Sequence, residues 1–131
     1  MKILLDTDTC IHLIRHQPLT MLQRLKRYTP GDIGISSITM AELSFGVSSS
    51  GQQERNKAAL DDFTAPLEIA PFDAAAYGAL RATIERRGAG IGPLDTLIGA
   101  HALSLKVTLV THNARAFSRI TGLRLADWVE S

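Results

Sequence analysis

Three acidic residues and one amide stand where the flanking sequence predicts the ends of strands and the starts of helices. Asp6 follows the first short apolar run of the chain, and Asn113 comes just after the fourth such run. Glu42 falls in the first turns of a predicted helix, and Asp95 opens another. If these side chains meet, carboxylates within ~4 Å repel one another by several kcal/mol unless a cation neutralises them. Oxygen ligands without cysteine or a well-placed histidine favour Mg²⁺ or Mn²⁺, and such sites support phosphoryl or phosphodiester transfer.

The elements that would bring these residues together are five short β-type runs separated by segments of helical spacing. The runs span residues 3–5, 33–35, 67–69, 107–110 and 123–125. This alternation predicts an α/β fold, a three-layer α/β/α arrangement with a mainly parallel five-stranded sheet. In right-handed βαβ units, strand C-termini and helix N-termini share one edge, where open α/β sheets bind their ligands. We therefore expect all four residues at that edge.

Each carboxylate also has a local explanation that the sequence alone leaves open. Glu42 comes three residues after Thr39, so the two could form a capping box at a helix start. Asp95 lies where a negative charge favours the helix dipole. Asp6 is harder to explain locally, because aspartate is disfavoured in strands and needs a partner when buried. Local explanations predict three unrelated sites, whereas a functional site predicts one cluster of like charges.

The composition fits one globular domain over residues 1–131. The chain is 45% hydrophobic and 21% charged, which argues against disorder. Its single cysteine, Cys10, cannot close an internal disulfide, and no apolar stretch is long enough to span a bilayer. An acid at position six interrupts any signal-peptide pattern, so we expect a cytoplasmic protein without membrane contact. The net charge of +1 does not by itself indicate a nucleic-acid partner, although a local basic patch can bind RNA.

Several other polar residues have simple structural interpretations. Asp73 is predicted to cap a helix, with Phe72 and Tyr77 at the spacing of a hydrophobic staple. His101 lies on an apolar stripe, which predicts a core histidine rather than a metal ligand. Cys10 has no partner at metal-ligand or redox spacing and is predicted to be a buried apolar residue.

A series of short motifs runs along nearly the whole chain. They are Leu4-Leu5-Asp6-Thr7, Ser36 through Leu43 with Gly46-Val47, Ile91-Gly92-Pro93-Leu94-Asp95, Ile98 through Leu105, Leu109-Val110-Thr111-His112-Asn113, Arg115, Phe117, Gly122-Leu123-Arg124 and Asp127-Trp128. In their order and separation these motifs resemble the PIN-domain ribonucleases, specifically the VapC-type toxins of bacterial toxin–antitoxin pairs. Each motif is weak alone, and together they make a specific match.

This resemblance implies a metal site and a reaction. Asp6, Glu42 and Asp95 match the family's three main acidic positions, and Asn113 occupies a fourth position that many relatives fill with aspartate. The implied activity is Mg²⁺-dependent endonucleolytic cleavage of RNA, with Mn²⁺ as a substitute, by attack of a metal-activated water on a phosphodiester. The implied partners are the RNA substrate, a cognate antitoxin and a second copy of the chain in a homodimer.

The sequence also departs from the family pattern. Asp8 stands where most relatives have asparagine, and Ala116 stands where some carry an extra acid. If residues 6–8 continue as a strand, Asp6 and Asp8 share a face. Thr7 is expected to orient Asp6 by a hydrogen bond, and Arg115 is a candidate phosphate contact.

Three other functions compete with the ribonuclease. A PIN-like binding module without catalysis is supported by Asn113 and Ala116 in place of acids. A haloacid-dehalogenase-type phosphatase is suggested by Asp6-Thr7-Asp8, but its late acid pair should follow the fourth strand, and Asp61-Asp62 precedes it. A response-regulator receiver needs an aspartate ending the third strand, where this chain continues into alanine and proline.

Overall fold

The computed structural model describes residues 1–88 and 90–129, and in them a parallel sheet is flanked by helices. The strands are β1 (Ile3–Leu5), β2 (Ile33–Ser36), β3 (Glu68–Ala70), β4 (Thr108–Val110) and β5 (Arg124–Ala126). The helices are α1 (Thr7–His16), α2 (Leu19–Leu25), α3 (Ser37–Ser48), α4 (Gln53–Thr64), α5 (Ala74–Arg86), α6 (Pro93–Leu105) and α7 (Ala114–Phe117). Every strand pairing is parallel, so the predicted α/β fold with a five-stranded sheet is confirmed. Within the described ranges, none of the helices has the length and apolar character needed to span a bilayer.

The sheet has the strand order β3-β2-β1-β4-β5, with β1 at its centre. The chain therefore builds one half of the sheet from β1 outward to β3 and then crosses over to β4. The two strands beside β1 thus lead away in opposite directions, which makes the β1–β4 boundary the topological switch point of the sheet.

Two hydrophobic cores lie on opposite faces of this sheet. Ile3 and Leu5 pack into one core with α1 to α4, and Leu4 packs into the other with α5, α6 and α7. This split follows from the alternation of strand side chains between the two faces. All three β1 residues are buried, as expected for a central parallel strand covered on both faces. The arrangement is the predicted three-layer one.

Three strands begin one residue later than the apolar runs predict. The backbone N–H groups of Leu67, Val107 and Leu123 donate to carbonyls of the preceding turn or helix end rather than to a neighbouring strand. Those acceptors are Thr64, Ala102 and Ile120, at 2.9, 3.2 and 3.3 Å. The side chains belong to the apolar run, but the backbone groups still complete the element before it.

The structural interpretations of the isolated polar residues are confirmed. Asp73 caps α5 by accepting a hydrogen bond from the Ala76 N–H at 3.1 Å, and the Phe72 and Tyr77 rings lie 6.1 Å apart. His101 and Cys10 are both buried in the cores. Burial raises the pKa of the Cys10 thiol well above its ordinary value, and the charge of Asp6 adds to this.

Candidate functional site

The four candidate residues lie at the sheet edge where β1 and β4 end. Asp6 directly follows β1 and is the N-cap of α1, and Asn113 precedes α7 after β4. Asp95 is the third residue of α6, and Glu42 is the sixth residue of α3. The Asp6 N–H donates to the Val110 carbonyl at 3.0 Å, which ties the two strand ends together. Asp6 and Asn113 therefore lie at the switch point, where open α/β sheets place their ligands.

Asp6 is buried and both of its carboxylate oxygens accept hydrogen bonds. Oδ1 accepts from the Thr9 N–H at 2.8 Å, which caps α1, and Oδ2 accepts from the Thr111 hydroxyl at 2.5 Å. Burial raises the pKa of the Asp6 carboxyl, the bonds from Thr111 and Thr9 offset part of this rise, and the charge of Asp8 adds to it. A buried carboxylate this well supported is oriented before any ligand arrives.

The Thr111 hydroxyl also connects Asp6 to the other side of the switch point. While donating to Asp6, it accepts the Asn113 backbone N–H at 2.9 Å. The Asn113 side-chain amide donates to Asp95 Oδ2 at 3.5 Å. One continuous network thus runs from the end of β1, through the end of β4, to the start of α6.

The charges of the other acids in this region affect the pKa of Asp95. Burial is the largest cause that raises the pKa of its carboxyl, followed by the charges of Asp6, Asp8 and Glu42 in that order. The position of Asp95 in the first turn of α6 also favours a negative charge, so the helix-dipole interpretation and the site interpretation hold together.

Glu42 is held by α1 rather than by its own helix. The Thr7 hydroxyl lies 2.7 Å from Glu42 Oε1 and 3.1 Å from the Thr39 hydroxyl. The expectation that Thr7 orients Asp6 is thereby corrected, because its hydroxyl serves Glu42. The capping-box alternative is wrong as well, since α3 begins after its N-cap Ser36 and Glu42 lies too far along the helix to reach that cap.

Two further candidates lie at the periphery. Asp8 would share a face with Asp6 only if β1 continued through residue 8, but the strand ends at Leu5 and Asp8 lies exposed in the first turn of α1. Its charge still raises the pKa of Asp6 and of Asp95, so it belongs to the same acidic region. Arg115 is exposed on α7, two residues beyond Asn113.

The chemistry of the donor set fits a hard divalent cation, although the ligands are not assembled into a tight group. Carboxylate and amide oxygens are the donors that Mg²⁺ and Mn²⁺ prefer. Across residues 1–88 and 90–129, no three Asp, Glu, His or Cys side chains converge as they would around a bound ion. The charges of Asp6, Asp8 and Glu42 raise the pKa of Asp95, and the Thr7 hydroxyl bonds Glu42 to α1.

Sequence reasoning missed two buried hydroxyls that organise this edge. Thr111 ends an apolar run and lies between the run and Asn113, and Thr39 is three residues before Glu42. Both are buried, at 1% and 0% exposure. A hydroxyl placed at the end of a buried strand or one helical turn from a candidate acid is the signal that would have identified them, because a buried hydroxyl must find a partner.

Comparison with known proteins places the chain in a family. The PIN-domain family matches residues 3–123. The tRNA(fMet)-specific endonuclease VapC of Shigella flexneri is 38% identical over 131 residues, which cover 98% of each chain.

Two solved structures are similar along the full fold. The structure of VapBC2 from Rickettsia felis, bound to a DNA fragment from the promoter, matches with 40% identity and a TM-score of 0.91, covering 98% of this chain and 100% of that chain. The DNA-bound VapBC structure from Salmonella typhimurium matches with 39% identity and a TM-score of 0.93, covering 98% and 99%. Because the family model and these relatives extend along almost all of the sequence, the chain belongs to the PIN-domain family, among the VapC-type ribonucleases.

Proposed function

We propose that this protein is a divalent-cation-dependent endoribonuclease that acts as the toxin of a bacterial type II toxin–antitoxin pair. The observation that carries the proposal is the hydrogen-bonded network at the switch point, in which Thr111 joins Asp6 to Asn113 and Asn113 reaches Asp95. Family membership supplies the class of reaction, and this network supplies residues that can perform it.

Asp6, Glu42 and Asp95 would hold Mg²⁺, with Mn²⁺ as a substitute, either directly or through waters. All three present hard oxygens, and the effect of Asp6 and Glu42 on the pKa of Asp95 supports their sharing one ion. When bound, the cation supplies a water of lowered pKa and positive charge for the phosphate oxygens.

The protein's own groups orient the reactants. Asn113 donates its amide N–H to Asp95, so its side-chain oxygen is left to accept a hydrogen bond from a water or from the RNA. Glu42 or Asp95 would orient the attacking water by accepting its hydrogen, and both assignments stay open. Thr111 keeps Asp6 aligned, and Asp8 adds negative charge at the rim of the site.

The proposed substrate is RNA, and transfer RNA is the first class to test. The relative from Shigella flexneri is named for its specificity toward tRNA(fMet). Arg115 is exposed two residues beyond Asn113, where its guanidinium would bind a backbone phosphate next to the scissile one.

The proposed inhibitor is a cognate antitoxin, since the similar solved structures from Rickettsia felis and Salmonella typhimurium are VapBC complexes. An apolar groove between α1, α3 and α4 opens beside Glu42 and suits a segment of such a partner. Its walls include Ile11, Ile14, Leu43, Val47 and Leu60, with Arg15 and Glu42 at the rim. A basic antitoxin side chain would be attracted to the carboxylates and would block cation binding.

A homodimer is also proposed, formed through helices near the active edge. Phe45 in α3 is 73% exposed and Leu94, next to Asp95 in α6, is 48% exposed. Burial of these large apolar side chains against a second copy would be favourable. Light scattering of the purified protein should give the mass of two chains, and Phe45→Ser should shift it toward one.

The ribonuclease activity is tested by incubating the protein with initiator tRNA in the presence of Mg²⁺ or of EDTA. Cleavage of an elongator tRNA under the same conditions measures the specificity. We expect cleavage only with Mg²⁺. Asp6→Asn and Asp95→Asn should each lower the cleavage rate by more than roughly 100-fold, the upper end of the loss caused by substitutions next to, but not among, the metal ligands. Asp62→Asn, on the exposed face of α4, is the matched control and should cleave normally.

A catalytically impaired RNA- or protein-binding module is the second candidate. Asn113 and Ala116 in place of acids are the observations that favour it. Failure to cleave any RNA, together with no cation binding by titration, would favour this module over the nuclease.

A further inference from the structure

A chain of two hydroxyl groups leads from the interior of α3 to the Glu42 carboxylate. Thr39 and Glu42 are three residues apart, so they share one face of α3, and Thr7 of α1 lies against both. Thr39 is fully buried and Thr7 is buried, whereas Glu42 is half-buried. Bulk water therefore has little access to the bond between the hydroxyls, although it can reach the carboxylate.

Only one direction of donation satisfies this chain. The Thr7 hydroxyl carries a single hydrogen, so it cannot donate to both neighbours. The carboxylate is the stronger acceptor, and its contact with Thr7 is the shorter one, 2.7 Å against 3.1 Å. Thr7 therefore donates to Glu42, and Thr39 donates to the Thr7 oxygen. Each bond polarises the next, so the Thr39 hydroxyl orients and strengthens the bond at Glu42.

We propose that Thr39 is a positioning residue for the cation site, acting on the Glu42 carboxylate through Thr7. The inference rests on the proposed function, in which Glu42 helps to hold the cation. Without this bond a half-buried glutamate would sample several rotamers. The conformational entropy lost when the ion orders the side chain would then weaken cation binding. The bond to Oε1 restrains the side chain in advance and leaves the second carboxylate oxygen for the ion.

Two substitutions at Thr39 separate positioning from packing. Thr39→Val keeps the shape but removes the hydroxyl, and Thr39→Ser keeps the hydroxyl but removes a methyl group. We expect Thr39→Val to weaken binding of Mn²⁺ alone roughly 3- to 10-fold by calorimetric titration. Thr39→Ser should bind Mn²⁺ as the unsubstituted protein does, even though the lost methyl lowers its urea midpoint. Thr64→Val is the control, because its hydroxyl donates to the Leu60 carbonyl within α4 and its loss should leave Mn²⁺ affinity unchanged.

A purely structural role for Thr39 makes the opposite prediction. Mn²⁺ affinity would then follow stability, and Thr39→Ser would lose as much affinity as Thr39→Val. That outcome would overturn the proposal. Circular dichroism verifies that each variant is folded, and Thr39→Ala takes the place of Thr39→Val if the valine variant does not fold.

Coupling to Glu42 tests whether the effect runs through this carboxylate. In a Glu42→Gln background, Thr39→Val should cause no further loss of Mn²⁺ affinity, because the group that it positions is already changed. Equal losses in both backgrounds would overturn the proposal while leaving the cation site intact. If Glu42→Gln itself leaves Mn²⁺ affinity unchanged, Glu42 is not a ligand, and the assignment made under the proposed function fails first.

Discussion

The Thr111 hydroxyl joins the two halves of the site across the switch point of the sheet. It donates to Asp6 Oδ2 and accepts from the backbone N–H of Asn113, and it is only 1% exposed. Both partners therefore depend on this hydroxyl rather than on water. Its loss leaves a carboxylate and an N–H to be satisfied in the same buried space.

Thr111→Val should lower the free energy of unfolding by about 1–3 kcal/mol, the usual cost of leaving buried polar groups without partners. Urea unfolding of the cation-free protein measures this change. Thr111→Ser retains the hydroxyl and should lose much less. An unchanged urea midpoint for Thr111→Val would contradict the role assigned to this residue.

Asp95→Asn should stabilise the cation-free protein. Burial and the charges of Asp6, Asp8 and Glu42 raise the pKa of Asp95 in the folded state. The folded protein thus binds this proton more tightly than the unfolded chain, and ionisation of Asp95 costs stability as the pH rises through the folded pKa. At neutral pH in EDTA the Tm of Asp95→Asn should exceed that of the unsubstituted protein by up to a few degrees.

Mg²⁺ should reverse this order. The ion should raise the Tm of the unsubstituted protein by binding its folded state and should have little effect on Asp95→Asn. An equal response to Mg²⁺ in both proteins would argue against Asp95 as a ligand.

At the level of residues, the sequence predicted where the candidate acids lie but not how they are held. Asp6, Asp95 and Asn113 reach the expected edge because strand ends and helix starts must meet there. The hydrogen-bond partner of the Thr7 hydroxyl was not predictable, because it depends on how α1 packs against α3, and the local sequence pattern does not specify that packing. The shared strand face considered for Asp6 and Asp8 is not formed, because Asp6 is the N-cap of α1, a position for which aspartate is a preferred residue.

At the level of elements, His101 links α6 to the start of α3. The Ser36 oxygen accepts the Ile38 N–H at 3.1 Å, and a hydrogen bond of 2.8 Å joins the Ser36 hydroxyl to His101 Nδ1. The helix that carries Asp95 is thus bonded to the cap of the helix that carries Glu42. When the imidazole carries its hydrogen on Nε2, Nδ1 accepts this bond from the Ser36 hydroxyl, and protonation of Nδ1 would remove that acceptor.

Acidification should weaken this link. Burial lowers the pKa of His101 from its ordinary 6.5, and the Pro71 carbonyl and the Asp73 charge only partly oppose this. As the pH falls below 6.5, the unfolded chain takes up a proton on this histidine more readily than the folded protein does. The contribution of neutral His101 to the free energy of unfolding is therefore complete above the pKa of the unfolded chain, and it is lost as the pH falls from there through the lower pKa of the folded protein. Urea midpoints from about pH 7 to about pH 5.5 should fall more steeply in the unsubstituted protein than in His101→Gln. Equal slopes in the two proteins would contradict the assignment of this pH dependence to His101, because the other histidines are present in both.

The elements themselves were largely predictable from the sequence. All five strands were found to within a residue. The central strands β1 and β2 are short apolar runs because both faces of the sheet are covered there. The polar helix α4 was not identified, because only Leu60 among its residues is buried and the apolar periodicity is weak. Three strands begin one residue later than predicted, because the backbone N–H of the first predicted residue donates to the preceding turn or helix end. The side-chain pattern does not indicate where a backbone N–H donates.

At the level of the whole molecule, the small net charge conceals a separation of charges. Residues 86–126 contain six of the 14 lysines and arginines but only one of the 13 acids, Asp95. The other acids of the site, Asp6, Asp8 and Glu42, come from the first third of the chain. The net charge of the whole chain is therefore a poor guide to the charge at the site, where Asp6, Asp8, Glu42 and Asp95 are acids.

Arg115→Gln should weaken RNA binding without changing the chemical step. We expect KM to rise roughly 3- to 10-fold at unchanged kcat, and the slope of log affinity against log salt to fall by about 1. Arg55→Gln removes a charge from the exposed start of α4 and is the control. A fall in kcat with KM unchanged would instead place Arg115 in the chemical step.

The central claim is that acids distant in the sequence act together on one hard cation. Anomalous scattering from a crystal soaked in Mn²⁺ tests it most directly. A peak within direct or water-bridged reach of Asp6, Glu42 and Asp95 is the predicted result, and it should vanish in a crystal of Asp95→Asn. The claim is contradicted if, at a Mn²⁺ concentration that supports cleavage, this edge shows no peak or the ion binds elsewhere.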